Sequence, residues 1–341
     1  MANVSNEARE ILAASHVIDL HLDLEVPVRV YGYDPTVRHA TSTTAPLFWG
    51  HTDYPKLREA GFTGVAYDVA TNPFRPAGNR LATTLANFER IQQRVAANAD
   101  TLALVTDRKG YDTARAANQL VLWLAVQGAN AFAADPTVLD GPVGDLVHRI
   151  TLMHLTNSMF GGTNSPYGFN KAITDAGRDM VRRMNARHIL VDLSHSSKAT
   201  FWGALEVHSK DLPPIVSHTG VEGVHRHWRN VDDAQIKAIA DRGGVVGIMF
   251  QSSFLEPVVL FGRGRRERIF AHLKHVVDLV GDEFAGIGTD YDGAITPPAD
   301  LPDVTHYVLL VQDMLDGGWS AERIGRVLGG NYLRVLAAIR P

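Results

Sequence analysis

Short apolar runs, each followed by a polar or amphipathic stretch, recur along almost the whole chain. Eight stand out, at 16–23, 62–70, 120–127, 150–155, 188–194, 214–218, 244–250 and 284–290. Runs of this length rich in Val, Ile and Leu are what strands buried on both faces look like. Between them, Leu81, Leu85, Phe88, Ile91 and Val95 recur at spacings of three and four, as do Ile269, Leu273, Val276 and Val280, which predicts amphipathic helices. Thr174 is placed to cap a helix carrying Met180, Val181 and Met184, and Pro213-Pro214 breaks the chain before the sixth run. Eight strands alternating with helices predict an α/β protein, a (β/α)8 TIM barrel. Residues 24–60 show no periodicity and contain Pro27, Pro35, Pro46 and Pro55, which predicts a long loop above the barrel. With no internal repeat or composition break, residues 1–341 read as one domain.

At 341 residues the chain is long for an average domain but ordinary for a barrel with insertions. A hydrophobic fraction of 45% and a charged fraction of 21% are those of a globular protein. The formal net charge of -4 supplies no field to gather phosphates, which argues against nucleic acid as a partner. Arg263, Arg265, Arg266 and Arg268 read as a solvated cluster ahead of a helix. The absence of cysteine excludes disulfides, thiolate metal sites and cysteine nucleophiles. Glu7, Arg9 and Glu10 interrupt the apolar stretch that a signal peptide requires, and no run reaches membrane-spanning length. The expected location is cytoplasmic, without membrane contact.

Catalytic groups of such barrels sit at the C-terminal ends of strands. The first run ends in His21-Leu22-Asp23, whose two polar side chains share a strand face. Taken alone this is either a ligand pair or a half-buried strand with a polar end. Later runs end similarly: the third in Gln127, the fourth at His154, the fifth at His195, the sixth at His218 and the eighth in Asp290. Imidazoles and carboxylates repeated at equivalent strand ends point to a metal of the zinc type.

At these residues the chain resembles the membrane (renal) dipeptidase family, zinc peptidases of the amidohydrolase superfamily. The resemblance is carried by VIDLHLD, LMHLTNS, ITDAGRDMVRRMNARHILVDLSHSS, IVSHTG, WRNVDDAQIKAIADRGGVVGI, GIGTDYDG and WSAERIGRVLGGNYLRVL. It implies two zinc ions, one on His21 and Asp23 and the other on His195 and His218, with a residue at position 127 bridging them. It further implies that His154 supports the oxyanion, that Arg229 binds the carboxylate of a small substrate such as a dipeptide, and that Asp290 shuttles the proton. It also suggests a homodimer.

The chain departs from the family pattern in ways that matter chemically. Gln127 stands where the family has a bridging glutamate, and an uncharged amide offers one good oxygen ligand where a carboxylate offers two. Weakened or single-ion occupancy is therefore expected, unless another carboxylate substitutes. Asp68, ending the second run, is the nearest candidate, against its reading as a salt-bridged aspartate. Gln251 takes the place of a substrate-facing tyrosine and Met249 that of a common asparagine, which predicts an altered pocket with Gln251 at the substrate. Gly286-Ile287-Gly288 lacks the third glycine of a dinucleotide loop, and no GxSxG elbow is present. His225 and His227 read as loop residues, His272 and His275 as helical and structural or exposed, and His16 and His188 as strand starts.

Three functions remain open at this level. One is a metal-dependent hydrolase of dipeptides or aminoacyl compounds with a free carboxylate. The second is a mononuclear amidohydrolase with a non-peptide substrate. The third is a catalytically weakened binding relative.

Overall fold

The computed structural model describes residues 4–40, 49–259 and 262–341. Each of the eight apolar runs overlaps a strand: β1 (Ile18–Leu22), β2 (Gly64–Ala70), β4 (Leu120–Gln127), β5 (Arg149–Thr151), β6 (Leu190–Asp192), β7 (Ile215–Thr219), β8 (Val245–Ile248) and β9 (Ala285–Ile287), with β5 starting one residue before its run and β7 ending one residue after. A ninth, β3 (Leu102–Leu104), pairs with the first half of β4. Its apolar stretch, residues 102–105 between Thr101 and Thr106, is shorter than the runs that mark the other strands. The strands hydrogen-bond in the order β1-β2-β4-β5-β6-β7-β8-β9, and a parallel bridge joins Leu22 to Tyr291 just beyond β9. This is the (β/α)8 barrel order.

The chain resolves into two compact units whose boundaries cut through β2 and β7. The first comprises residues 1–65, 217–241 and 245–334. In it β7, β8 and β9 approach so closely that a Cβ on Gly247 or Gly288 would lie 1.9 or 2.0 Å from the Ser217 carbonyl oxygen. No side chain fits there, and that is why both positions are glycine. The predicted helix around Ile269–Val280 is observed as Glu267–Val280, burying Ile269, Leu273 and Val276. Ahead of it the arginines are partnered. Arg266 meets Asp300 and Asp313, while Arg263 donates to the carbonyls of Pro297 and Pro298.

The stretch read as a long loop carries two short helices, Glu25–Tyr31 and Tyr54–Glu59. Pro27 and Pro55 fall in their first turns, where a missing N–H breaks no helical hydrogen bond. Asp53 caps the second helix by accepting from the Lys56 N–H at 2.7 Å, and Gly32, at φ 67°, ends the first in the left-handed region. Pro46 lies outside the described residues.

The second unit comprises residues 66–216, 242–244 and 335–341. The predicted helix over 81–95 is observed as Ala77–Ala96, with Phe88, Ile91 and Val95 buried. Thr174 caps the helix Asp175–Ala186, its hydroxyl accepting from the Gly177 N–H at 3.1 Å, and Met180, Val181 and Met184 are buried beneath. Among the described residues no helix is long and apolar enough to cross a membrane.

Two buried histidines make stability pH-dependent. In the first unit, His272 Nδ1 accepts from the Val221 N–H at 2.9 Å and Nε2 donates to the Leu255 carbonyl at 2.9 Å, the pattern of a neutral ring. In the second, His208 Nδ1 donates to the Ser209 carbonyl at 2.7 Å. Burial holds both down to a pKa of about 4, so the unfolded chain takes up protons that the folded chain refuses. Their neutral forms support the fold fully above pH 6.5, the ordinary histidine value, and that support is lost as pH falls towards 4. Each is expected to contribute a slope of about 1.4 kcal/mol per pH unit within that window. Urea unfolding at a series of pH values should show His272→Gln with one histidine's share of the slope removed; an unchanged slope would refute the assignment.

Candidate metal centre

The first unit gathers His21 and His218, on β1 and β7, with Asp23, Arg229 and Asp290 on the segments that follow β1, β7 and β9. Alternation along β1 puts Asp19, His21 and Asp23 on one face, all buried. The strand-end rule passes over Asp19, although it lies two residues before His21 just as Asp23 lies two after. Its carboxylate joins β1 to the end of β9. Oδ1 accepts from the N–H groups of His21 and Thr289 at 3.1 and 2.8 Å, and Oδ2 accepts from the Thr289 hydroxyl at 2.6 Å. Burial pushes its pKa up to about 6, against the pull of those hydrogen bonds.

Beyond β1 and β9 the two chain segments continue to pair. Asp290 N–H donates to the His21 carbonyl at 3.1 Å, and Asp23 N–H donates to the Tyr291 carbonyl at 3.0 Å. This brings His21 Nε2 to 3.4 Å from Asp23 Oδ2 and 3.5 Å from Asp290 Oδ1. The His21 and His218 rings stack with centroids 3.7 Å apart, and one donor atom from each of His21, His218 and Asp290 falls within 4.8 Å of the others. Two donor atoms each about 2.1 Å from a tetrahedral ion stand about 3.4 Å apart. The spacings around His21 match that figure and exceed ordinary hydrogen-bond lengths, so the donor set fits an ion of the zinc type. Ser217 Oγ lies 2.7 Å from His218 Nδ1, a hydrogen bond that fixes the orientation of that ring and leaves Nε2 as its donor atom for an ion.

Asp290 holds its place with backbone strain. It lies at φ 61° and Asp292 at φ 65°, in the left-handed region that non-glycine residues avoid. Gly293 is the glycine this turn requires, since a Cβ there would come within 2.4 Å of Asp290 Oδ1 and 2.8 Å of Asp23 Oδ2.

Arg229, on the loop after β7, is buried, and its Nη2 donates to the His218 carbonyl at 2.8 Å. Gln251, expected at the substrate, is tied into its own loop: Oε1 accepts from the Thr296 N–H at 2.5 Å and Nε2 donates to Ser253 Oγ at 2.7 Å. His227 packs on Phe254 with centroids 4.4 Å apart, and His275 pairs with Asp233 at 2.7 Å.

The second unit gathers Gln127, His154 and His195. Gln127 is the buried last residue of β4, and its Nε2 lies 3.4 Å from His195 Nε2. His154 meets the His195 ring edge-on, with centroids 5.0 Å apart. His195 also sits in the left-handed region, at φ 62°, where its carbonyl accepts from the Asn164 N–H at 2.7 Å and the Thr163 hydroxyl at 3.1 Å. Gly128, following Gln127 at φ 104°, has no room for a Cβ beside Asn130 Oδ1.

Asp68 is engaged elsewhere in the same unit. Its carboxylate pairs with Arg149, whose guanidinium also holds Asp192, and all three are fully buried. Asp192 further accepts from the Thr151 hydroxyl at 2.7 Å and the Ser194 N–H at 3.0 Å. The carboxylate nearest to Gln127 by topology is thus part of a structural ion triad.

Comparison with known proteins agrees in family and in fold. The family model described as membrane dipeptidase (peptidase family M19) matches residues 5–340. Dipeptidase verJ of Clonostachys rogersoniana is 28% identical over 346 residues, covering 98% of this chain and 87% of that protein. Among solved structures, the probable dipeptidase PvdM of Pseudomonas aeruginosa superposes with a TM-score of 0.84 at 15% identity, covering 98% of each chain. A metallo peptidase from Rhodobacter sphaeroides, liganded with a phosphinate mimic of the dipeptide L-Ala-D-Ala, gives 0.82 at 23% identity, covering 94% of this chain and 98% of that one.

Proposed function

The chain belongs to the membrane dipeptidase family and is a metal-dependent, dipeptidase-type hydrolase, and from that premise we propose that it cleaves dipeptides or aminoacyl amides bearing a free carboxylate. The observation that carries the proposal is the convergence of His21, Asp23, His218 and Asp290, with donor spacings of 3.4 and 3.5 Å around His21 Nε2. In this reading His21, Asp23 and His218 would hold zinc, with the Asp290 carboxylate beside it. When bound, an ion of that type supplies a nucleophilic water at neutral pH and polarises the scissile carbonyl.

The protein's own groups do the rest. The Asp290 carboxylate accepts the proton of the attacking water and passes it to the leaving amine. Arg229 presents a planar fork that matches a substrate carboxylate. From the second unit we assign His154 to the developing oxyanion, His195 to metal ligation, and Gln127 to the position where the family places a bridging carboxylate. The buried, neutral Gln127 amide beside His195 favours one tightly held ion over two.

Metal analysis and dipeptide hydrolysis of the wild type and of Gln127→Glu test both parts. The wild type is expected to retain about one equivalent of zinc after dialysis, and the variant about two, because a carboxylate can give one oxygen to each ion. A wild type that already holds two ions would remove the argument from Gln127. The L,D-dipeptide mimic bound by the Rhodobacter sphaeroides relative is a reason to include D-residues in the panel. Absence of turnover with zinc supplied, across L,L and L,D dipeptides and aminoacyl substrates, would defeat the substrate assignment. The cytoplasmic location and homodimer expected from the sequence stay with the proposal, to be checked by cell fractionation and sedimentation.

A further inference from the structure

Two residues beyond Asp290 a second aspartate occupies an equally unfavourable backbone conformation, yet its carboxylate does not point at the metal-ligand cluster. Asp292 is fully buried and accepts four hydrogen bonds from one short segment 240 to 242 positions away in sequence. Its Oδ1 takes the N–H groups of Gly50 and His51 at 2.6 and 3.0 Å, and its Oδ2 takes the Thr52 N–H at 3.1 Å and the Thr52 hydroxyl. Its own N–H donates back to His51 Nδ1 at 3.0 Å, so the residue is clamped on both sides. The segment is itself fixed, since the buried Lys56 ammonium donates to the Gly50 carbonyl at 3.1 Å and lies 3.9 Å from both Asp53 and Asp303.

The clamp is one turn away from Asp290. Gly293 N–H donates to the Asp290 carbonyl at 3.1 Å, and between the two aspartates Tyr291 is anchored through its hydroxyl to the Leu301 carbonyl at 2.9 Å. A turn with aspartates at φ 61° and 65° relaxes towards ordinary backbone regions unless outside contacts hold it. Relaxation would swing the Asp290 carboxylate away from His21. We propose that Asp292 is the positioning residue for Asp290: its carboxylate, gripped by Gly50, His51 and Thr52, keeps the catalytic turn in the conformation that aims Asp290. The inference rests on the proton-transfer role proposed above for Asp290.

The chemistry of the clamp dictates the variants. Four donors demand an acceptor-only group, which aspartate is and asparagine is not, because one end of the amide would face donors with its own NH2. Asp292→Asn therefore keeps the shape and the left-handed tolerance but breaks the grip, and Asp292→Gly keeps the backbone freedom and removes the carboxylate. Both are expected to lower kcat by about 10-fold or more with KM within about 3-fold and zinc content unchanged. Thr52→Val removes a single donor and is expected to give a smaller loss in a stably folded protein.

A double-mutant cycle decides between positioning and mere stability. If Asp292 acts through Asp290, Asp292→Asn costs about 10-fold in the wild-type background and less than about 3-fold in an Asp290→Asn background. Equal losses in both backgrounds would overturn the proposal, as would wild-type kcat in Asp292→Gly. Should the Asp292 variants fail to fold, Thr52→Val measured in the same two backgrounds makes the same distinction. An Asp290→Asn enzyme as fast as wild type would instead show that the role assigned to Asp290 is wrong.

Discussion

Asp290→Asn is expected to cut kcat by about 10²- to 10⁴-fold, the range general acid–base groups contribute. The substitution suits the test because it changes little else. Asparagine tolerates the left-handed backbone that Asp290 adopts at φ 61°, it has the same outline, and the residue's N–H bond to the His21 carbonyl does not involve the side chain. What it removes is the ability to accept a proton. Steady-state kinetics on a dipeptide at saturating zinc, with bound metal measured on the same sample, separates loss of proton transfer from loss of the ion. A kcat within about 10-fold of wild type at equal metal content would exclude Asp290 as the proton carrier.

The largest effect on stability is expected at Arg149. Its side chain is fully buried with Asp68 and Asp192, so Arg149→Met leaves two carboxylates in the interior without their cation. Removing one member of a buried ion pair typically costs about 3–5 kcal/mol, and here two acids lose the same partner. Urea unfolding should show this loss, and much of it should return when Asp68→Asn and Asp192→Asn are added, because the uncompensated charges disappear. A loss below about 1 kcal/mol for Arg149→Met would mean that the triad is hydrated or dispensable. The result also bears on the metal question. If Asp68 is needed by Arg149, it is not available to replace the carboxylate that Gln127 lacks.

The parts of the protein that are legible in the sequence are those in which local pattern and tertiary role coincide. Parallel strands buried on both faces must be apolar throughout, so β1, β4 and β7 announce themselves as runs, and polar residues at their ends stand out against that background. The helix Ala77–Ala96 is legible because one face repeats every three or four residues. The helices Glu25–Tyr31 and Tyr54–Glu59 are not, since each is shorter than two heptads and carries a proline that reads as a break until its position in the first turn is known. Gln251 looks like a pocket residue by position alone, and only the structure shows its amide tied to Thr296 and Ser253. Asp292 is beyond reach for another reason: its partners Gly50, His51 and Thr52 lie about two-thirds of the chain away, and no local rule links them.

His195 and Asp290 both leave their strands through left-handed backbone, which costs each of them about 1–3 kcal/mol relative to an unstrained residue. That burden has a consequence for laboratory evolution. A library sorted only for heat resistance, with no demand for turnover, should accumulate glycine or asparagine at 195 and 290, trading the side chains proposed for metal ligation and proton transfer for a relaxed main chain. Enrichment at those two codons in such an experiment would read out, without any kinetic assay, where natural selection has favoured chemistry over robustness.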